Sequence, residues 1–127
     1  MEFDYTITTT KTFDEAVLSI EEEIPKAGMQ VLYVHDVQKT LEEKGFKREP
    51  LKIIEFCNAK FASEFLNIDI KIGLCLPCKI NVYTKDGQTF ISGMRPVVLP
   101  QFFPHVDFGE RPKEIDQIIQ TIINNAK

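Results

Sequence analysis

The sequence lacks tryptophan and has two histidines and three cysteines among its 127 residues. An odd number of cysteines without an export signal argues against a disulfide framework, so we expect reduced thiols and a cytoplasmic location. The first residues, Met-Glu-Phe-Asp-Tyr, lack the basic and apolar regions of a secretory signal. No apolar run approaches the roughly 18 residues of a membrane-spanning helix, so we expect no membrane partner.

Positive charge is scarce as well. The formal net charge is -4 and the isoelectric point is about 5.2, whereas binding to a nucleic-acid duplex requires several phosphate-neutralising Lys or Arg residues. The main basic cluster lies within residues 44–52, where Glu42, Glu43 and Glu49 dilute it. We therefore expect no nucleic-acid partner.

Motifs of several large enzyme classes are absent. The sequence contains no G-x-G-x-x-G, P-loop, H-E-x-x-H or G-x-S-x-G pattern. It also shows no pair of carboxylates in a defined setting. Nucleotide, protease and esterase chemistry therefore has no support, and we favour a protein without catalytic activity.

Length and hydrophobic patterning predict one folded domain over residues 1–127. Apolar residues alternate in some segments, as in strands, and recur at helical spacing in others. The predicted order is strand, helix, strand, short helix, strand, helix, hairpin, helix. Because helices and strands do not alternate strictly, we predict an α+β fold with a mostly antiparallel sheet covered by helices.

Short motifs predict where these elements begin and end. Thr12 and Glu15 match a capping box at the start of the first helix. Asp86-Gly87 is typical of a hairpin turn, and Pro112 is expected in the first turn of the last helix.

Two further segments carry weaker signals. Asp36 is expected to cap the short helix, with Val37 and Leu41 facing inward. Three prolines lie within residues 94–111, so any strand pairing there must be short or at a sheet edge.

Three segments resemble the domain of unknown function 302 family. They read Gly-Met-Gln-Val-Leu-Tyr-Val-His-Asp-Val at 28–37, Ile-Glu-Phe-Cys-Asn at 54–58 and Gly-Leu-Cys-Leu-Pro-Cys-Lys-Ile-Asn-Val-Tyr at 73–83. With their flanking residues they span most of residues 1 to about 100. The resemblance implies a fold similar to the TATA-binding-protein class, a β-α-β4-α arrangement, and a homodimer. It implies no activity.

The cysteines form the most conspicuous candidate site. Cys75 and Cys78 make a C-x-x-C, a spacing that can chelate a metal or close a redox disulfide, and Cys57 ends the third strand. A metal held by Cys57, Cys75 and Cys78 would need His35 or His105 as a fourth ligand. A redox role lacks the helix N-terminus that lowers a thiol pKa, because Cys78 enters a strand. The alternative is that all three thiols are small buried hydrophobes.

Polar and thiol side chains at the strand ends are the candidates for a ligand site. They are Cys57, Asn58, Cys78 and His35. Asn58 is most simply a helix cap, although its amide could also polarise a ligand. His35 precedes Asp36, and the pair is either a polar cap or a base with its orienting acid.

Three functions follow from these features. The favoured hypothesis is a homodimeric module that binds a small molecule or a metal without turnover. The second is a thiol-based redox or sulfur-handling protein that uses Cys57, Cys75 and Cys78. The third is a structural or interaction domain that associates through the apolar loop at 97–108 and an exposed sheet edge.

Overall fold

The computed structural model describes residues 2–127. The strands are β1 (Asp4–Thr9), β2 (Gln30–Asp36), β3 (Leu51–Cys57), β4 (Cys78–Lys85) and β5 (Gln88–Met94). The helices are α1 (Phe13–Lys26), α2 (Val37–Glu42), α3 (Ala59–Ile68), α4 (Leu99–Phe102) and α5 (Arg111–Ala126). Two short 3₁₀ helices span Ile70–Cys75 and Pro96–Val98.

The strands form one open sheet in the order β1-β5-β4-β3-β2. All four neighbouring pairs are antiparallel. The predicted α+β class is therefore confirmed. The implied order of a strand, a helix, four strands and a helix is present in β1, α1, β2 to β5 and α5, with α2, α3 and the shorter helices inserted.

One face of the sheet carries the core. Alternate residues of β3, β4 and β5, among them Ile54, Ile80 and Ile91, are fully buried and face α1 and α5. Gly93 allows α5 to lie close to this face, since a Cβ there would be 3.0 Å from both Ile119 and Ile123. We call this side the covered face.

The opposite side, called here the outer face, has no large helix over it. Its alternate residues include Tyr33, Glu55 and Lys79, and it is crossed only near β2 and β3 by α2. The expectation that Val37 and Leu41 face the interior was wrong. Both are half-buried, α2 has no buried residue, and the two side chains lie against the outer face, because α2 leaves β2 on that side.

Most of the local signals are confirmed. The Thr12 hydroxyl accepts from the Glu15 amide at 3.2 Å, and the Glu15 carboxylate accepts from the Thr12 amide at 2.9 Å. Asp86 and Gly87 both have positive φ, as a tight hairpin turn requires. Residues 96–102 form helical turns and no strand. Among the described residues, no helix is both long and apolar enough to span a membrane.

Two ion pairs attach α5 to its neighbours. Arg95 donates two hydrogen bonds to the buried Asp116, at 3.1 and 3.0 Å, and holds α5 to the end of β5. Arg111 donates to Glu64 at 2.6 Å and links α5 to α3. These contacts fix the end of the fold where the cysteines lie.

Candidate functional site

A small cavity opens where β4 begins, and we call it the thiol cavity. Cys78 is on the covered face, opposite Phe56 in the β3–β4 register, and Cys75 ends the preceding 3₁₀ helix. The cavity measures about 70 Å³, and its walls are mostly apolar. It is lined by Phe65, Cys75, Leu76, Pro77, Cys78, Lys79, Met94, Pro96, Leu99 and Ile115.

The Cys78 thiol is electrostatically unsuited to act as a thiolate. The pKa of Cys78 is raised to about 12, chiefly by burial and to a lesser extent by the nearby Cys57, while Lys79 opposes the shift. All three cysteines are free. Since nucleophilic attack uses the thiolate, the raised pKa disfavours Cys78 as a nucleophile at neutral pH.

Cys57 lies at the end of β3, near Cys78, and Asn58 follows it. The side chain of Asn58 is engaged in hydrogen bonds to backbone groups. The Cys57 thiol donates to the Asn58 carbonyl at 3.6 Å. The Asn58 Oδ1 accepts from the amides of Lys60 and Phe61, and its Nδ2 donates to the Gly28 carbonyl at 2.9 Å. The cap interpretation of Asn58 is therefore confirmed, and its amide is already used.

His35 projects from the outer face, away from the side on which Cys78 lies. Its Nε2 is 2.5 Å from Oε1 of Glu55 on β3, and the Tyr33 ring lies 4.6 Å from the imidazole, centroid to centroid. Asp36 instead caps α2 by accepting from the Lys39 amide. The acid that orients His35 is therefore Glu55, and the adjacent Asp36 is the polar cap.

A larger depression, called here the outer cleft, lies between α2 and the outer face. Its volume is about 280 Å³. Glu55 and Lys79 face each other across the β3–β4 register beside it, and Lys79 lines both the outer cleft and the thiol cavity. The walls of the outer cleft are His35, Val37, Thr40, Leu41, Ile53 and Lys79.

The described residues contain no metal centre of the predicted kind. Nowhere in residues 2–127 do three or more His, Cys, Asp or Glu side chains converge as metal ligands would. Cys57 and Cys78 are brought together, Cys75 shares a cavity with Cys78, and His35 is on the other face of the sheet.

Comparison with known proteins identifies the family to which the chain belongs. The family model described as "Domain of unknown function DUF302" matches residues 5–126. The chain belongs to this family. The sequence and fold are also similar to a crystal structure of an uncharacterized conserved DUF302 protein from Bacillus stearothermophilus. The two chains are 28% identical, each is covered completely, and the TM-score is 0.92. No curated protein matches the chain.

Sequence reasoning missed two residues of this DUF302 domain: Lys79, which lines the outer cleft, and Glu55, which lies beside it and holds His35. Glu55 lies between Ile54 and Phe56, and strand alternation alone places it on the opposite face from those two buried residues. Lys79 follows Cys78 and alternates in the same way. The signal for both was a charged residue flanked by apolar or thiol side chains within a strand.

Proposed function

We propose that this DUF302 domain binds a small molecule without turnover, and that the ligand occupies the outer cleft. The supporting observation is the combination of size and lining. About 280 Å³ is close to the lower end of the roughly 300–1,000 Å³ range of small-molecule sites, which have apolar walls and a few polar groups. Here Val37, Leu41 and Ile53 are apolar, while His35 and Lys79 are polar and line the same cleft.

The thiol cavity is better explained by side-chain packing than by ligand binding or thiol chemistry. Its volume of about 70 Å³ leaves room for only a few atoms, and Phe65, Leu99 and Ile115 of its walls belong to the hydrophobic core. The raised pKa of Cys78 disfavours the thiolate that a redox or sulfur-transfer step would need. These features favour a packing role for Cys78.

The test is to locate binding on the protein. ¹⁵N-labelled protein is titrated with a mixture of small aliphatic and aromatic acids, amides and amines, and amide shifts are followed by NMR. We expect shifts at residues of β2, α2 and β3 around the outer cleft. Thr40→Trp should abolish them by filling the cleft, whereas Thr8→Trp, on the exposed far edge of the outer face, should not. Shifts centred on Cys75 and Cys78 would contradict the proposal.

We also propose that the domain is a cytoplasmic homodimer, joined through the edge strand β2. The free thiols support a reducing compartment. Leu32 and Tyr33 on this edge are 52% and 60% exposed, and a register irregularity separates Val31 from Tyr33. Exposed apolar side chains on an unpaired edge favour association with another chain.

Sedimentation equilibrium of two matched variants tests the homodimer. Leu32→Lys should yield a monomer, whereas Phe102→Lys, at a side chain that is 68% exposed on α4, should leave the dimer intact. If Phe102→Lys is monomeric and Leu32→Lys is dimeric, the interface is formed by the loop at 97–108 and not by β2. A wild-type protein that is monomeric at every concentration would refute the homodimer.

A further inference from the structure

We infer that the outer cleft selects a small carboxylic acid with a short aliphatic chain. This inference rests on the proposed function and names the chemical class of its ligand. It follows from three features of the cleft: a lysine at one wall, an imidazole held by Glu55 at another, and aliphatic side chains in the rest of the lining.

The lysine supplies the positive charge. Lys79 lines the cleft, and its nearest hydrogen bond is a long one, 3.5 Å to the Pro77 carbonyl. An ammonium has three donors, so Lys79 retains donors for a ligand. Its opposite neighbour in the β3–β4 register, Glu55, balances part of the charge and limits nonspecific attraction of anions.

His35 presents its imidazole to the ligand in a fixed orientation. Glu55 takes one imidazole nitrogen, Nε2, at 2.5 Å, and the Tyr33 ring packs against the imidazole. With Nε2 engaged by Glu55, Nδ1 is the ring nitrogen that remains for a ligand. The imidazole therefore has a fixed orientation in the cleft that Lys79 also lines.

Glu55 also explains why a cationic ligand is disfavoured. Its side chain is only 19% exposed, and one of its oxygens is already engaged by His35. An incoming amine would carry the same charge as Lys79, which lines the cleft. Like charges repel, so the cleft discriminates by charge as well as by shape.

The aliphatic surface limits the rest of the ligand. Val37, Leu41 and Ile53 are half-buried and form the apolar part of the lining. A chain of a few carbons lies against them and gains from leaving water. Inorganic phosphate has no apolar part, so it cannot use this surface.

The experiment compares four probes by NMR titration of the wild-type protein: isovalerate, isovaleramide, isoamylamine and inorganic phosphate. We expect isovalerate to shift the amides around the cleft and to bind at least about tenfold more tightly than the other three. Lys79→Gln should weaken isovalerate by about tenfold or more. Lys85→Gln, which removes an exposed lysine from the far end of the same strand, should change it by less than about twofold.

The outcomes separate this inference from the proposed function. If isovaleramide or isoamylamine shifts the cleft amides as strongly as isovalerate does, the carboxylate preference is refuted and the cleft remains a binding site. Equal losses in Lys79→Gln and Lys85→Gln would refute the role of Lys79. If none of the four probes shifts the cleft amides, the inference is refuted, and the titration with the broader mixture decides the proposed function separately.

Discussion

The thiol cavity and the outer cleft lie on opposite sides of β4 and share Lys79, yet they differ in almost every physical respect. The thiol cavity is bounded by core residues such as Phe65 and Ile115, which are 2% and 3% exposed. The outer cleft is bounded by α2, which has no buried residue. The first holds the conspicuous sequence motif, and the second holds the convergent polar groups.

The difference shows how burial and register decide what a side chain can do. A buried cysteine is a small hydrophobe with a weak donor, and desolvation keeps Cys78 neutral. His35, Glu55 and Lys79 belong to three strands and are distant in sequence. Antiparallel register places Glu55 opposite Lys79 and His35 opposite Ile53, and the His35 ring reaches diagonally to Glu55. A C-x-x-C is visible in the sequence, whereas a constellation made by register is not.

Removing an aromatic side chain from each region gives the largest contrast. Phe65→Ala empties a core site beside Phe108 and should lower the free energy of unfolding by about 3–5 kcal/mol. Tyr33→Ala, at a side chain that is 60% exposed, should cost less than about 1 kcal/mol. Urea denaturation at low protein concentration measures both. Equal losses would mean that Tyr33 is covered in solution, as the proposed β2 interface would cover it.

Alkaline pH should destabilise the protein through the thiol cavity. Folded Cys78 keeps its proton until about pH 12, whereas the unfolded chain releases it above the ordinary value of 9.0. The neutral Cys78 thiol therefore stabilises the folded state fully below pH 9. This stabilisation declines as pH rises towards 12, and the free energy of unfolding falls by up to about 1.4 kcal/mol per pH unit. Urea denaturation at several pH values measures this slope.

Cys78→Ala is the control for that measurement, because other groups also titrate at alkaline pH. The difference in unfolding free energy between wild type and Cys78→Ala should change above pH 9 and stay constant below it. A constant difference at every pH would show that Cys78 ionises as readily when folded as when unfolded. The thiol cavity would then be a candidate for thiol chemistry.

Local features of the fold could be predicted from the sequence because they depend on neighbouring residues. The capping box at Thr12 and Glu15, the Asp86-Gly87 turn and Pro112 in the first turn of α5 each involve contacts within a few positions. The position of each helix relative to the sheet was harder to predict from the sequence. Val37 and Leu41 carry a helical apolar pattern, but the pattern does not state which face of the sheet they contact.

The candidate site was predictable only in part. His35, which lines the outer cleft, was among the candidates. Asn58 was a candidate too, but it lies outside the cleft, and its capping role followed from its position before a helix. The partner of His35 could not be found, because Glu55 is 20 positions away and is reached only through the β2–β3 register. That register shifts between Val31 and Tyr33, and nothing local in the sequence fixes such a shift.

Asn58 should affect stability and leave the outer cleft unchanged. Asn58→Ala removes the cap of α3 and should cost about 1 kcal/mol, whereas Asn58→Asp keeps an acceptor for the amides of Lys60 and Phe61 and should cost less. Thermal unfolding compares the three proteins. Isovalerate binding should be the same in all of them, and a loss of binding in Asn58→Ala alone would restore Asn58 as a ligand-site residue.

The smallest effect concerns the His35–Glu55 pair itself. Its members are 46% and 19% exposed, so solvent screens their attraction and the pair should contribute less than about 1 kcal/mol to stability. A double-mutant cycle of His35→Gln and Glu55→Gln measures this coupling by urea denaturation. The same cycle read by isovalerate affinity should show a larger coupling, because Glu55 orients the imidazole that contacts the ligand. If the two substitutions are coupled in the free energy of unfolding but not in isovalerate affinity, the His35–Glu55 pair only links β2 to β3. Of the two residues proposed to bind the carboxylate, Lys79 would then remain and His35 would not.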